Sequence, residues 1–394
     1  MGIIKRMKLK YYSASQIHNG KQWLPQGSVI AISDDGTVMD VLSENDIPAA
    51  DIIHLEGVLC PGFVNAHCHI ELSHMKGVVK EGTGLVPFLQ SVVSERNKFT
   101  EEDKQAGIVS ALKEMRENGI VAVGDIANGT DTLPYRTEAD FHIHTFVEAL
   151  GFSNENIEQR FAWPENVYRQ FAAQQSVREG QILRQSIVPH APYSVSEGMF
   201  KAIDGFDEGS LISIHNEETA AENEFYEEGT GQMFELYETL KIDAGFFEAS
   251  GKTSLQTYLP WLAKSHPLML VHNTFMNAED VKVLKESGRE FYLCVCPNAN
   301  WYIEQRMPPV KLFMESGLPV CLGTDSYSSN HELNIWSEIE CIQKYFPEIG
   351  LEILLTWATY NGAKALQMNT IGLIEKGKRP GLVLIRENKI ERIL

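Results

Sequence analysis

The segment PGFVNAHCH, residues 61–69, decides how this chain of 394 residues is interpreted. Its apolar first half predicts a short buried strand over Gly62–His69, and two histidines one residue apart stand at its end. Side chains alternate between the two faces of a strand, so His67 and His69 point the same way, whereas Cys68 faces the opposite side and is predicted to pack. The pattern therefore indicates that the two histidines share a metal ion.

Beyond this segment, strand-like runs alternate with helical patterns. The predicted strands are Gly62–His69, Ile120–Ile126, Phe141–Leu150, Gln185–Pro189, Leu211–His215, Leu268–His272, Glu290–Cys296 and Pro319–Thr324. Predicted helices include Asp103–Asn118, Asn156–Gln175, Ala278–Ser287, Val310–Ser316, Leu333–Tyr345 and Glu352–Leu366. Such alternation implies parallel pairing, and eight strand–helix units in roughly 300 residues predict an α/β fold of the (β/α)₈ TIM-barrel type. The other architecture, an open doubly wound sheet, needs a glycine-rich turn after its first strand, where this chain has His-Cys-His.

The two ends of the chain predict a second, smaller unit. Short strands over Lys8–Ser13, Gly27–Ile32 and Asp51–Leu55 are matched near the other end by Leu382–Ile385 and Lys389–Leu394. Neither end is long enough to bury a core alone, so together they predict a small β-sandwich domain. The predicted boundaries are 1–57 and 369–394 for this domain and 58–368 for the barrel.

Composition narrows the classes of partner. With 34 Lys and Arg against 53 Asp and Glu, the net charge of −19 disfavours binding to nucleic acid or an anionic membrane and leaves small molecules as the expected partners. No apolar run reaches membrane-spanning length, and the Met1–Arg6 start lacks the apolar core of a signal peptide. Six cysteines without a C-x-x-C pair favour free thiols in a reducing compartment. We therefore expect a cytoplasmic protein.

Candidate reactive residues fall where predicted strands end, which is where barrel enzymes carry their chemistry. After His67 and His69, this position is taken by His190, His215, His272 and Asp325. Three imidazoles and one carboxylate suit Zn²⁺ or a similar divalent ion with an open position for water.

Each of these residues also has a structural alternative. His215 alone is better explained as a buried, backbone-bonded histidine, but Glu218 three residues later favours a ligand beside a proton-transfer group. Asp325 can cap the next helix, yet at the end of an apolar strand it serves better as ligand and base. His272 is evenly balanced between the two explanations.

Other candidate ligand pairs are interpreted as structural. His142 and His144 repeat the H-x-H pattern, but no carboxylate shuttle follows them, and Glu148 lies further along the same strand. Cys294 and Cys296 are interpreted as small side chains in a barrel strand rather than as thiolate ligands.

Six motifs together carry a resemblance to a known family. They are PGFVNAHCHIELS (61–73), PHAPYSVS (189–196), HNEE (215–218), VHNTFM (271–276), CPNAN (296–300) and LGTDSYSSN (322–330). From about residue 55 to its end, the chain resembles the amidohydrolase superfamily, in the branch of aminohydrolases that deaminate purines and related heterocycles. That resemblance also implies a small sheet domain built from both termini.

The resemblance implies a role for each site residue. Glu218 shuttles protons, His272 orients the hydrolytic water, and His190 faces the substrate. One divalent metal ion, Zn²⁺ first and Fe²⁺ or Mn²⁺ as alternatives, is bound by His67, His69, His215 and Asp325. A homodimer is also implied.

Two motifs, HIELS (69–73) and PHAPYSVS, are most similar to aminodeoxyfutalosine deaminases, which remove the 6-amino group of an adenine nucleoside. S-adenosylhomocysteine/adenosine deaminases and guanine deaminases are neighbouring groups. CPNAN replaces the CPRSN of many relatives, so a positive charge near the pocket is missing, and PGL at 380–382 replaces Ala-Asp-Leu in the small domain.

The predicted function is hydrolytic deamination of an adenine nucleoside-like substrate, with release of ammonia. Aminodeoxyfutalosine is one candidate for this substrate. The alternatives are a guanine deaminase, a chlorohydrolase or another hydrolase of the same superfamily, and a non-catalytic metal-binding barrel, which the presence of both Glu218 and Asp325 disfavours. Residues 71–97 are predicted to form a mobile cover over the site. Expected substrate contacts lie in loops above the strand ends, at Glu71, His74, His190 and Trp301.

Overall fold

The computed structural model describes residues 9–394, so Lys8 of the first predicted strand and the Met1–Arg6 start lie outside the described residues. Its strands are β1 (Leu9–Ile17), β2 (Ser28–Ser33), β3 (Val38–Ser43), β4 (Ile52–Cys60), β5 (Phe63–Cys68), β6 (Ile120–Ala127), β7 (His142–Ala149), β8 (Leu183–Pro189), β9 (Ile212–Asn216), β10 (Leu268–His272), β11 (Phe291–Val295), β12 (Val320–Leu322), β13 (Val383–Arg386) and β14 (Lys389–Arg392). The predicted central strands coincide with β5–β12 to within a few residues.

Helices separate these strands and follow the last of them. They are α1 (Leu85–Glu95), α2 (Glu101–Glu117), α3 (Leu133–Arg136), α4 (Ile157–Ala172), α5 (Glu197–Asp204), α6 (Ala220–Glu228), α7 (Met233–Leu240), α8 (Ser254–Tyr258), α9 (Ala278–Ser287), α10 (Pro297–Glu304), α11 (Val310–Glu315), α12 (Ile335–Tyr345), α13 (Leu351–Thr356) and α14 (Gly362–Ala365). A π-helical segment, Trp357–Asn361, joins α13 to α14 within the predicted helix Glu352–Leu366. Among the helices of residues 9–394, none is long and apolar enough to cross a membrane.

The central strands form two parallel four-stranded sheets, β5-β6-β7-β8 and β12-β11-β10-β9. Backbone hydrogen bonds also link the outer strands of the two sheets: the His215 amide donates to the His190 carbonyl at 3.0 Å, and the Asp325 amide donates to the His67 carbonyl at 3.1 Å. Because all eight strands run parallel, their carboxyl ends face the same side of the molecule. The residues predicted to be reactive lie on that side.

Burial on both faces explains the apolar character of these strands. Every residue of β5, β6, β9 and β10 is buried, as expected for parallel strands that helices cover. Gly124 in β6 is required by a close approach, since a Cβ at this position would lie 2.1 Å from the Ala66 carbonyl oxygen. The backbone immediately before His67 is thereby packed directly against β6.

The strands from the two ends of the chain lie in one six-stranded sheet, ordered β14-β13-β4-β1-β2-β3. Val383 in β13 pairs with Cys60 in β4, so the last segment of the chain is joined to the first. A separate apolar core, which includes Ile30, Leu59 and Leu382, supports this sheet. These six strands belong to a single sheet, and the two-layered sandwich stays a prediction.

Candidate active site

A cavity of about 710 Å³ opens at the carboxyl ends of the parallel strands. Its inner part is polar and includes His69, Glu148, His190, His215, Glu218, His272 and Asp325. Its outer part is apolar and includes Leu85, Phe88, Val92, Phe152, Leu236 and Phe246. The cavity therefore offers polar groups to one end of a ligand and an apolar wall to the other.

Four side chains from distant parts of the chain converge at the inner end of this cavity. His67 and His69 come from the end of β5, His215 from β9, and Asp325 from the turn after β12. The Asp325 Oδ1 atom lies 3.5 Å from His67 Nε2 and 3.3 Å from His69 Nε2, and the Nε2 atoms of His69 and His215 are 3.3 Å apart. The four residues predicted as metal ligands are thus brought together.

The chemistry of this donor set fits a divalent cation. Burial, with like-charge repulsion among the imidazoles, lowers the pKa of His67 and His69 well below 6.5, which favours the neutral form that binds metals. Within residues 9–394, neither ring nitrogen of the fully buried His67 has a hydrogen-bond partner. A cation held by the three imidazoles and the carboxylate would give a partner to His67 Nε2, the nitrogen that lies 3.5 Å from Asp325 Oδ1.

Glu218 lies next to the converging donors and is suited to carry a proton. Burial, followed by the negative charges of Asp325 and Glu222, raises the pKa of Glu218 well above 4.5. Its Oε1 atom lies 3.5 Å from His272 Nε2. The Glu222 carboxylate accepts the backbone N–H groups of Glu217 at 3.0 Å and Glu218 at 3.4 Å, which fixes the backbone that carries the proton-transfer group.

His272 is oriented by a residue that sequence reasoning did not identify. Asn300 on α10 places its Nδ2 atom 3.2 Å from His272 Nδ1 and 2.7 Å from Thr274 Oγ1. With Nδ1 accepting a hydrogen from the amide, the ring proton of His272 is carried by Nε2, the atom that faces Glu218. Asn300 thereby sets the tautomer of the histidine predicted to orient water.

We expect Asn300→Ala to lower kcat by about fivefold, since loss of one hydrogen bond is worth roughly 1 kcal/mol and leaves His272 free to adopt the other tautomer. Metal content and KM are expected to stay near wild type. Asn298→Ala is the matched control on the same helix, because Asn298 Nδ2 donates instead to Ser337 Oγ at 3.1 Å, away from the cavity. Steady-state kinetics with elemental analysis tests this, and an unchanged kcat contradicts it.

Two site residues, and Glu217 next to Glu218, adopt backbone conformations that L side chains rarely take. Glu217, His272 and Asp325 have φ values of 46°, 71° and 56°. All three stand at or just beyond the end of a strand, where the chain turns sharply. Left-handed backbone at non-glycine positions is concentrated at functional sites, where the surrounding structure holds it in place.

Two of the predicted substrate contacts, His190 and Glu71, lie at the cavity. His190 lines the cavity, with Nδ1 2.7 Å from Ser194 Oγ, so Nε2 is left for a ligand. Glu71 also lines the cavity, but both of its oxygens are engaged, one by Arg96 Nη2 at 3.2 Å and the other by the Asn128 amide at 3.0 Å. Both carboxylate oxygens of Glu71 are therefore already bound by groups of the protein itself.

His74 and Trp301 are not among the residues that line the cavity, and their role as substrate contacts stays a prediction. His74 ends a short 3₁₀ helix, with Nε2 3.2 Å from the Arg96 carbonyl oxygen and its ring against Phe99. Trp301 packs on Tyr345, with ring centroids 4.7 Å apart. Both side chains thus pack against an aromatic neighbour.

The segment 71–97 covers the outer part of the cavity. Leu85, Phe88 and Val92 of α1 form one of its walls. Backbone contacts fasten the segment to α10: the Gly82 amide donates to the Tyr302 carbonyl at 2.7 Å, and the Leu85 amide donates to Glu304 Oε1 at 2.8 Å. The mobility of this cover stays a prediction.

His142 and His144 lie away from the cavity lining and make hydrogen bonds within the fold. His142 Nδ1 accepts the Ile182 amide at 2.9 Å, and His144 Nε2 lies 3.1 Å from Ser186 Oγ. Glu148, further along the same strand, does line the cavity. Sequence reasoning missed it, although its position at the end of β7 matches that of the other site residues.

A set of histidines and a carboxylate at the carboxyl ends of parallel strands is typical of metal-dependent hydrolases. The chain belongs to the amidohydrolase family, whose model matches residues 58–392. Adenosine deaminase of Helicobacter pylori is 29% identical over 337 residues, which cover 84% of this chain and 80% of that protein.

Solved structures agree with this family relationship. Helicobacter pylori aminofutalosine deaminase in complex with methylthio-coformycin superposes with a TM-score of 0.83 at 25% identity, covering 95% of this chain and 92% of that one. An adenosine deaminase from Xanthomonas campestris, which has bound zinc, shares the fold with a TM-score of 0.69 at 21% identity, covering 95% of this chain and 84% of that one.

Proposed function

We propose that this protein is a metal-dependent hydrolytic deaminase that releases ammonia from an adenine nucleoside-like substrate. The observation that carries the proposal is the placement of Glu218, whose pKa is raised by burial, beside His272 and the converging donors of His67, His69, His215 and Asp325. The names of the similar proteins, adenosine deaminase and aminofutalosine deaminase, support the same class of substrate. Aminodeoxyfutalosine is included among the candidates.

The proposal includes an architecture for the whole chain. Strands β5–β12 close into a (β/α)₈ barrel over residues 58–368, supported by the hydrogen bonds between the outer strands of the two parallel sheets. Residues 1–57 and 369–394 form the small domain, supported by the pairing of β13 with β4. A cytoplasmic homodimer is the proposed form of the protein.

His67, His69, His215 and Asp325 would hold the metal ion, with Zn²⁺ proposed ahead of Fe²⁺ or Mn²⁺. When bound, such an ion supplies a nucleophilic water at neutral pH, because it lowers the pKa of that water. The neutral state of the buried imidazoles supports this ligand set.

The side chains around this centre supply the proton transfers. The proton on His272 Nε2 can hold the water in line with the carbon that carries the amino group. Glu218 donates a proton to the ring nitrogen beside that carbon, which removes the charge that builds there when aromaticity is lost. Asp325, whose Oδ2 accepts the Ser329 hydroxyl at 2.5 Å, takes a proton from the water. Glu218, now deprotonated, takes the proton of the hydroxyl on the attacked carbon and passes it to the amine, so that the carbonyl forms and ammonia leaves. The proton held by Asp325 then restores Glu218.

An ammonia-release assay tests the proposed function. The metal-loaded protein is incubated with adenosine, S-adenosylhomocysteine, aminodeoxyfutalosine and guanine, with a chlorinated and an amino-substituted triazine included to test the chlorohydrolase alternative. We expect loss of the adenine absorbance band together with ammonia from at least one adenine nucleoside. Activity on guanine alone, chloride release alone, or no turnover by a metal-loaded protein would each contradict the proposal.

A further inference from the structure

Glu148 stands at the carboxyl end of β7, at the same level of the fold as the other site residues, and lines the cavity. Its side chain is only 2% exposed. The Oε2 atom accepts a hydrogen bond from Asn128 Nδ2 at 2.5 Å, whereas Oε1 has no hydrogen-bond partner within residues 9–394. A buried carboxylate oxygen thus lacks a donor at the wall of the cavity.

The neighbouring histidine does not supply this donor. His215 Nδ1 is 3.6 Å from Glu148 Oε1, beyond hydrogen-bond distance, and it lies 2.7 Å from the His190 carbonyl oxygen. A carbonyl oxygen only accepts, so Nδ1 must carry the ring proton and give it to His190.

The same proton excludes a second metal ion at this place. One donor atom each of Glu148, His190 and His215 lie within 4.8 Å of one another, which is close enough for a shared cation. However, His215 Nδ1, the nitrogen near Glu148, is protonated and cannot coordinate metal. The open oxygen of Glu148 therefore requires a hydrogen-bond donor.

A chain of polar contacts fixes the direction of this oxygen. Arg96, just beyond the end of α1, donates to Glu71 Oε1, and Glu71 Oε2 accepts the Asn128 backbone amide. With its backbone held, Asn128 directs its side-chain amide to Glu148 Oε2. The Glu148 carboxylate is thus held through one oxygen, and the other is buried without a donor among the described residues.

We propose that Glu148 Oε1 accepts a hydrogen bond from a sugar hydroxyl of the substrate and so selects ribonucleosides over their deoxy forms. An unpaired buried acceptor is costly, and a bound hydroxyl removes that cost. A carboxylate in this position repels phosphate and carboxylate groups, so the ligand must offer a hydroxyl or an N–H. This inference rests on the proposed function, because it takes the inner part of the cavity to hold a nucleoside.

The test compares adenosine with 2′-deoxyadenosine and 3′-deoxyadenosine in the wild type and in Glu148→Ala. The wild type should prefer adenosine to one deoxy form by roughly 10- to 100-fold in kcat/KM, as expected for a hydrogen bond to a charged acceptor. In the Ala variant, this ratio should approach one because the acceptor is gone. Glu148→Gln keeps the size of the side chain and should reduce the ratio to a few-fold.

Glu155→Gln is the matched control, since this carboxylate also borders the cavity but is exposed, and it should keep the wild-type ratio. Equal use of all three nucleosides by the wild type, or an undiminished ratio in both Glu148 variants, overturns the proposal. Calorimetric binding of inosine and its two deoxy forms needs no turnover. If the protein binds inosine more tightly than one of its deoxy forms but deaminates none of the nucleosides, the role of Glu148 is upheld. The proposed deaminase function then fails.

Discussion

Glu218→Gln is expected to lower kcat by about 10²- to 10⁴-fold, the range typical of positioned acid–base catalysts. The amide keeps the shape of the side chain but has no acidic proton for the ring nitrogen or the leaving amine. Since Glu218 does not belong to the proposed ligand set, metal content should be unchanged. Single-turnover kinetics with elemental analysis measures both quantities.

Glu224→Gln provides the matched control for this prediction. Glu224 lies on α6, six residues after Glu218, but its side chain is exposed, so its replacement should leave turnover unchanged. A near-wild-type rate in Glu218→Gln would show that another group transfers the proton. A low rate accompanied by loss of metal would show instead that the side chain acts through the metal centre.

Removal of the metal ion is expected to abolish turnover and to destabilise the protein. A ligand present at a thousand times its dissociation constant stabilises the folded state by about 4 kcal/mol, and chelation withdraws that contribution. Turnover should return on reloading with Zn²⁺, Mn²⁺ or Fe²⁺, and comparison of the three identifies the most effective ion. Activity and thermal unfolding are measured before chelation, after it and after reloading.

Variants of the proposed ligands extend this test. Asp325→Asn should lose both metal and activity, because the carboxylate oxygen that faces His67 and His69 becomes part of a neutral amide. His331→Ala is the control, since that histidine is exposed and pairs with Glu81 at 3.2 Å. Full activity in a chelated sample shown by elemental analysis to contain no metal would contradict the proposed mechanism.

Much of the fold was predictable because parallel strands buried on both faces have a simple pattern. Short apolar runs such as Ile120–Ile126 and Leu268–His272 lie between helical patterns, and each corresponds to an observed strand. The ligand candidates were predictable for a related reason. Where such a strand ends in a polar residue, that residue emerges at the edge of the sheet, as His215 and His272 do.

Other parts of the site depend on tertiary contacts that periodicity does not encode. Asn300 meets His272 only because the fold brings α10 to the end of β10, and only one oxygen of Glu148 is paired because Asn128 reaches that one alone. Position in a loop also leaves the direction of a side chain undetermined. For that reason the sequence does not show which way His74 and Trp301 face, and in the structure both pack against neighbouring aromatic rings.

The left-handed conformations of Glu217, His272 and Asp325 limit how far the stability of the folded protein can be raised. Each such residue costs on the order of 1–3 kcal/mol, with less for aspartate, and glycine would adopt the same backbone without that strain. Glycine at position 272 or 325 would relieve this strain but abolish turnover, and at position 325 it would also remove the stabilisation that a bound metal ion supplies. Screens for heat resistance that also demand turnover would have to find their gains elsewhere in the chain.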